Sequence, residues 1–206
     1  MKNLPFTGKL RRGTGLLSLG LFLLLPVLFA QTGPLAKVAT VQEIEGHLRI
    51  ARTGKFLAAQ TKKPIFPGDV LETGQRDRAL IQFEADGTLV KLANGTKLQI
   101  LPEGKAQVYL SEGLVWGKRT SGGTPFAIET PVMVTAVRGT EFFVKSIGSD
   151  QSVVLVKEGV VEVNFGGEVS AVGPMKIGFF QKGIGLRVSP IDENILKDWA
   201  AQFGEE

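Results

Sequence analysis

The chain has 206 residues, with 24 Lys and Arg, 20 Asp and Glu, one His and no Cys. Without cysteine there can be no disulfide, no lipid-modified cysteine and no thiol chemistry, and a single His is too few for the usual zinc ligand sets. Lys2, Lys9, Arg11 and Arg12 stand before Ala30 with no acid among them, so the rest of the chain carries 20 charges of each sign and lacks the basic face expected of a nucleic-acid-binding domain.

Reading from the N-terminus, this positive stretch runs into an uncharged segment, Leu16 to Ala30, rich in leucine. That is the layout of a secretory signal. Its 15 residues fall short of the roughly 20 that a helix needs to span a bilayer, which favours cleavage near Ala30. Leu28 is larger than the A-x-A-like pattern prefers, so a membrane tether through residues 16–30 is the alternative. The expected location is periplasmic or otherwise extracytoplasmic. The domain plan is 1–30 signal peptide or signal anchor, 37–188 β domain and 189–204 C-terminal amphipathic helix.

After the leader, about 175 residues remain, enough for one domain with a sizeable interior. Short runs with period-two alternation follow one another: Leu48 and Ile50 with His47 and Arg49, Ile81 and Phe83 around Gln82, Val90 and Leu92 around Lys91, Leu98 and Ile100 around Gln99. Each reads as a strand with one buried face. Asp86-Gly87, Asn94-Gly95, Glu112-Gly113, Gly122-Gly123, Gly148-Ser149, Glu158-Gly159 and Gly166-Gly167 supply turns between them. Consecutive strands are expected to pair antiparallel. The stretch from Val153 to Phe165 is apolar on both faces around its turn and reads as the central hairpin. Glu112-Gly113 and Glu158-Gly159, each followed by an apolar strand, read as one hairpin type used twice. At the C-terminus Ser189, Pro190 and Asp192 resemble a helix start, and Ile191, Ile195, Leu196, Trp199 and Phe203 make one apolar stripe.

Catalytic chemistry finds little support. His47 alternates with Leu48 and belongs on a solvent face, no phosphate-binding glycine loop leads into a helix, and no cofactor or metal is expected. Asp69, Glu72, Asp86, Glu112, Glu129, Glu141 and Glu158 are the acids that could form a sugar-cleaving pair, but most sit in turns. Trp116, Phe142 and Phe143 read as packing residues rather than a binding platform. The weak binding candidates are Arg138, Glu141 and Trp199. Gly139 permits a bend or bulge, where the default role of Arg138 is to hydrogen-bond exposed carbonyls; its rigid fork could equally recognise a ligand.

One series of motifs is more specific. It comprises Gly68-Asp69 followed by Leu71 and Thr73, Ala79 to Phe83 leading into Asp86-Gly87-Thr88, and the strand Thr96 to Ile100. Phe126, Thr130-Pro131, Val137-Arg138-Gly139-Thr140-Glu141-Phe142 and Glu158-Gly159 complete it. In order and spacing this resembles the FecR domain, an extracytoplasmic module named for the iron-citrate regulator of Gram-negative bacteria. The resemblance implies an all-β domain that acts by binding. In the best-known members it relays the state of an outer-membrane receptor to a sigma factor. About a dozen residues before the apolar run are too few for a cytoplasmic sigma-regulating part, and a short helix follows Val188 where those regulators carry a further small receptor-contacting domain, so the expectation is the module alone.

The fold expected is therefore all-β, antiparallel hairpins in a sandwich-like or solenoid-like arrangement. The function expected is a non-enzymatic module engaging a protein or cell-envelope partner. A glycan-binding or glycan-cleaving envelope protein, or a structural component of the cell surface, is the alternative.

Overall fold

The computed structural model describes residues 36–102, 106–119 and 125–204; the expected leader, residues 1–30, and the Gly122-Gly123 turn lie outside them. Pro34 to Glu206 form one compact unit. The strands run β1 (Ala39–Glu45), β2 (Leu48–Arg52), β3 (Lys55–Ala58), β4 (Pro64–Ile65), β5 (Val70–Thr73), β6 (Arg78–Phe83), β7 (Leu89–Leu92), β8 (Lys97–Ile100) and β9 (Val108–Lys118). They continue with β10 (Phe126–Glu129), β11 (Met133–Val137), β12 (Glu141–Ile147), β13 (Gln151–Glu158), β14 (Val161–Phe165), β15 (Glu168–Val172), β16 (Lys176–Gln181) and β17 (Gly185–Pro190), followed by the helix α1 (Glu193–Ala201). No helix of the described residues is long and apolar enough to cross a membrane.

Hydrogen bonds join these 17 strands into one continuous sheet that is folded into two layers and does not close into a barrel. Layer A has the order β4-β1-β6-β7-β9-β12-β13-β16-β17 and is antiparallel throughout. Layer B has the order β3-β2-β5-β8-β9-β10-β11-β14-β15, with β9 and β10 its one parallel pair. The strand common to both is β9. Its first half, Val108 to Glu112, pairs with β8 in layer B, and its second half, Gly113 to Lys118, pairs with β12 in layer A.

Period-two alternation builds the core, as the sequence leads one to expect. Leu48, Ile50, Leu98 and Ile100 from layer B meet Ile81, Phe83, Val90 and Leu92 from layer A in one buried cluster. Each such side chain contributes roughly 1.5–3 kcal/mol on full burial. Phe83 and Phe126 join the two layers edge to face, with ring centroids 4.8 Å apart.

Three expectations are corrected. Glu112-Gly113 is not a turn: it lies inside β9, where the register slips between Lys97 and Leu98 and the strand leaves one layer for the other. The stretch from Val153 to Phe165 is not a hairpin, because β13 pairs with β12 and β16 while β14 pairs with β11 and β15. The two Glu-Gly pairs thus share a role, but that role is to move the chain between layers, as Glu45-Gly46 also does between β1 and β2. Finally, the helix does not start at Ser189. β17 continues through Pro190, opposite Lys176, and the cap is Asp192, whose side chain accepts the Ile195 N–H at 2.9 Å.

The reason β13 is apolar on both faces is a second core. Val154 and Val156 point between the layers, whereas Val153 and Leu155 point outward with Leu114, Phe143 and Ile177. There they are covered by Ile191 and Phe203, buried at the two flanks of α1, and by half-buried Leu196 and Trp199.

Gly113 carries the crossing at φ +97°, and a Cβ there would lie 2.6 Å from the Thr96 Cα and 2.8 Å from the Gly95 carbonyl oxygen. Gly54, at φ +77°, has no heavy atom within 4 Å of the same position. Gly113→Ala is expected to lose about 3 kcal/mol or more, from backbone strain and collision with main chain, and Gly54→Ala only about 1–2 kcal/mol, from strain alone. Urea unfolding of the two variants measures the difference.

Candidate functional site

Gly139, at φ +58°, turns the chain out of β11 in layer B and into β12 in layer A. Its two flanks therefore serve different surfaces. Val137 is buried between the layers, so Arg138 is turned away from the core and stands exposed. Glu141 opens β12 and is buried at a register slip opposite Glu158 and Val156.

Arg138 lines a recess of about 280 Å³ together with Pro125, Ala136, Val160 and Glu162. The pairing of β11 with β14, which sets Ala136 opposite Glu162, assembles it. Val160 is an apolar side chain nearly half exposed at its rim. Among the described residues Arg138 makes no hydrogen bond or ion pair, which corrects the expectation that it binds carbonyls at the Gly139 bend. Val160 and Glu162 escape a reading of the sequence because they reach Arg138 only through this pairing of strands distant in sequence, while Pro125 is brought beside it by the hairpin of β10 with β11.

Glu141 is, by contrast, fully engaged. Its Oε1 accepts from Lys157 Nζ at 2.8 Å and from the Trp116 indole N–H at 3.3 Å, and its Oε2 lies 3.3 Å from Lys118 Nζ. Burial alone would raise its carboxyl pKa; Lys157, and then Lys118 and Trp116, outweigh burial and hold it below the ordinary carboxylate range. A glycosidase acid has to be held protonated, and this carboxyl is pushed the other way. Glu158, its neighbour across the strands, is the exposed last residue of β13. Trp116 is partly buried, packs against the second core and donates its N–H to Glu141.

Trp199 stands edge to face on Phe143, with centroids 6.0 Å apart, and Phe143 also meets Phe203 at 5.8 Å. Phe143 is the register partner of Trp116. Glu141 and Trp199 thus belong to one connected surface of layer A, through Trp116 and Phe143, while Arg138 lies across the Gly139 turn from them. His47 is exposed, 3.7 Å from an Asp77 carboxylate oxygen. Among the described residues no three His, Cys, Asp or Glu are grouped to hold a metal ion.

The motif residues elsewhere are occupied in folding. Asp69 is buried and takes the Arg52 guanidinium through two bonds of 2.7 Å, with the Phe66 N–H as a third donor at 2.9 Å. Asp86 Oδ1 accepts the Thr88 N–H at 2.9 Å and closes the turn between β6 and β7. Thr130 caps the turn at Pro131 by accepting from the Met133 N–H at 3.2 Å.

Two layers, antiparallel but for the pairing of β9 with β10, woven by one chain and sharing β9, with acidic and hydroxyl side chains tying the turns, define an all-β domain of alternating hairpins. Residues 69–162 match the family described as FecR protein, so the resemblance carried by these motifs holds from β5 into β14. A protein from Parabacteroides distasonis, provisionally described as an anti-sigma factor, has a crystal structure at 1.65 Å that superposes with TM-score 0.55 at 23% identity, over 64% of this chain and 64% of that one. A second crystal structure of such a protein from the same organism, at 2.50 Å, gives TM-score 0.55 and 23% identity over 64% of this chain and 63% of that one. At this identity the likeness is one of fold, and this chain spans a little under two thirds of those chains. No curated protein matches it.

The Glu141 cluster has a defined pH signature. Its folded-state pKa lies below the ordinary 4.5, so its stabilisation is complete above that value and is lost as pH falls through the folded-state value. Glu141→Gln is expected to cost about 1–2 kcal/mol at neutral pH, with wild type and variant converging as pH falls through the folded-state value. Chemical denaturation at a series of pH values measures this.

Proposed function

We propose that this protein is a non-catalytic FecR-type binding module that works outside the cytoplasmic membrane and engages a protein partner at the Arg138 recess. The observation that carries this reading is a guanidinium exposed without a partner among the described residues, in the segment where the family resemblance is strongest. Glu141, Asp69 and Asp86 of the same motif series are all committed to holding the fold. Arg138 alone of the charged residues in Val137–Phe142 is left for recognition.

The chemistry of the recess suits an acidic or carboxylate-bearing group of the partner. Arg offers a planar fork matched to carboxylate, and Val160 and Pro125 supply apolar contact beside it. Exposed Arg next to apolar side chains is also the composition in which interface energy concentrates. Glu162 on the opposite rim would repel a purely anionic partner and so selects for one carrying a cation beside its acid. The leader layout supports the extracytoplasmic location, and the fold shared with the provisionally assigned anti-sigma factor supports a regulatory rather than a metabolic setting.

Crosslinking and recovery of partners from envelope fractions of the native cell tests the reading. Arg138→Ala is expected to lower recovery of the partner about tenfold with no change in melting temperature, and Arg138→Lys to restore part of it. Equal recovery by wild type and Arg138→Ala would place recognition elsewhere.

A further inference from the structure

One corner of layer A is apolar and cationic at once. Two hairpin tips meet there, the turn after β12 and the turn after β16, tied by the Lys182 N–H to the Asp150 carbonyl at 2.8 Å. Strand register places Lys145, Val153, Phe179 and Arg187 in one row across β12, β13, β16 and β17, and Ile147, Gln151 and Gln181 in the next. These rows share the outward side with the second core, but α1 does not cover this end. Phe179 is 48%, Ile147 42% and Ile184 64% exposed. A cleft of about 440 Å³ runs between Phe179, Ile184 and Arg187.

The charges around this apolar group are one-sided. Lys145, Lys182 and Arg187 belong to the rows and tips, against Asp150 alone. Exposed Phe56, on the edge strand β3 of layer B, stands differently: it is stacked under the Arg49 guanidinium, 5.4 Å from its ring centre. An extended segment added beside β17 would satisfy that edge but leave Ile147, three strands away, uncovered. A flat anionic surface meets Ile147, Phe179 and Ile184 together, with the three cations placed against its charge. Interfacial segments bind lipid by this pairing of modest apolar burial with Lys and Arg attraction to anionic headgroups.

We propose that this corner docks the domain on an anionic phospholipid bilayer, with Ile147, Phe179 and Ile184 at headgroup depth and Lys145, Lys182 and Arg187 against the headgroups. The contact is separate from the Arg138 recess, which lies on the other layer, and leaves it open to a partner. Phe179, Lys182, Ile184 and Arg187 fall outside the stretch of the FecR match, while Lys145 and Ile147 lie within it, so the contact joins the matched segment to the strands that follow it.

Co-sedimentation of residues 34–206 with phospholipid vesicles tests this. That compact unit contains both cores and omits the apolar stretch 16–30, which would bind lipid by itself. Binding is expected to vesicles of phosphatidylethanolamine with phosphatidylglycerol, to weaken steeply with added salt, and to be far weaker on phosphatidylcholine alone. Lys182→Gln and Arg187→Gln should each lower the partition coefficient about fivefold, and Ile184→Ser by a similar factor, while Phe56→Ser leaves it unchanged. Absence of binding to the anionic vesicles, equal binding to phosphatidylcholine, or an equal loss with Phe56→Ser would overturn the proposal. So would self-association, seen by sedimentation velocity, that Ile184→Ser abolishes while vesicles go unbound, since the corner would then belong to a second copy.

Discussion

Strand β9 has to serve two layers. Eleven residues long, it bonds to β8 and β10 with its first half and to β7 and β12 with its second. A strand can change layers in this way only if its main chain twists sharply at one point, and the twist falls at Gly113, where a side chain would strike the Thr96 and Gly95 backbone. Every strand position downstream follows from that crossing. Hairpins then alternate between layers, so that β10 and β11 fall in layer B, β12 and β13 in layer A, β14 and β15 in layer B, and β16 and β17 in layer A. The shared core between the layers is the product of this weaving, since no layer buries its inner face without the other.

The same alternation decides which motif residues are open to other molecules. Arg138 ends a strand of layer B and Glu141 begins one of layer A, three residues later. The turn at Gly139 sends the first to an exposed recess and the second into a cluster with two lysines and an indole. Two charged residues of one short run thus have opposite duties, Glu141 holding the fold and Arg138 presented outward. The second core repeats the division on a larger scale: α1 seals the outward side of layer A over Phe143 and Leu155 and leaves Phe179 and Ile147 bare.

Strand positions were legible in the sequence because half-buried strands repeat every two residues: Leu48, Ile50, Ile81, Phe83, Leu98 and Ile100 are all buried as their spacing implies. Which strands pair was not. The run Val153–Val156 is apolar on both faces, and the simplest local reading joins it to Val160–Phe165; its outward residues instead meet a helix some 40 residues later, a contact with no trace in local pattern. Glu112-Gly113 misled for a related reason, since Gly with φ > 0 suits a tight turn and a bulged crossing alike. Ser189-Pro190 looked like a helix start, but Pro at the end of an edge strand needs no partner for its missing N–H, and β17 is such an edge. The FecR motifs were readable because they combine turn chemistry at fixed offsets, whereas the Arg138 recess was not, depending as it does on β14 lying beside β11.

If β9 holds both layers in one cooperative unit, its two halves cannot open separately. Native-state hydrogen exchange of residues 34–206 across a denaturant series measures this directly. The expected result is that the slow amides of Val108–Glu112 and of Leu114–Lys118 exchange with the same free energy and the same denaturant dependence, equal to those of global unfolding. Exchange of the first half with layer B at a distinctly lower free energy, while the second half stays protected with layer A, would contradict it.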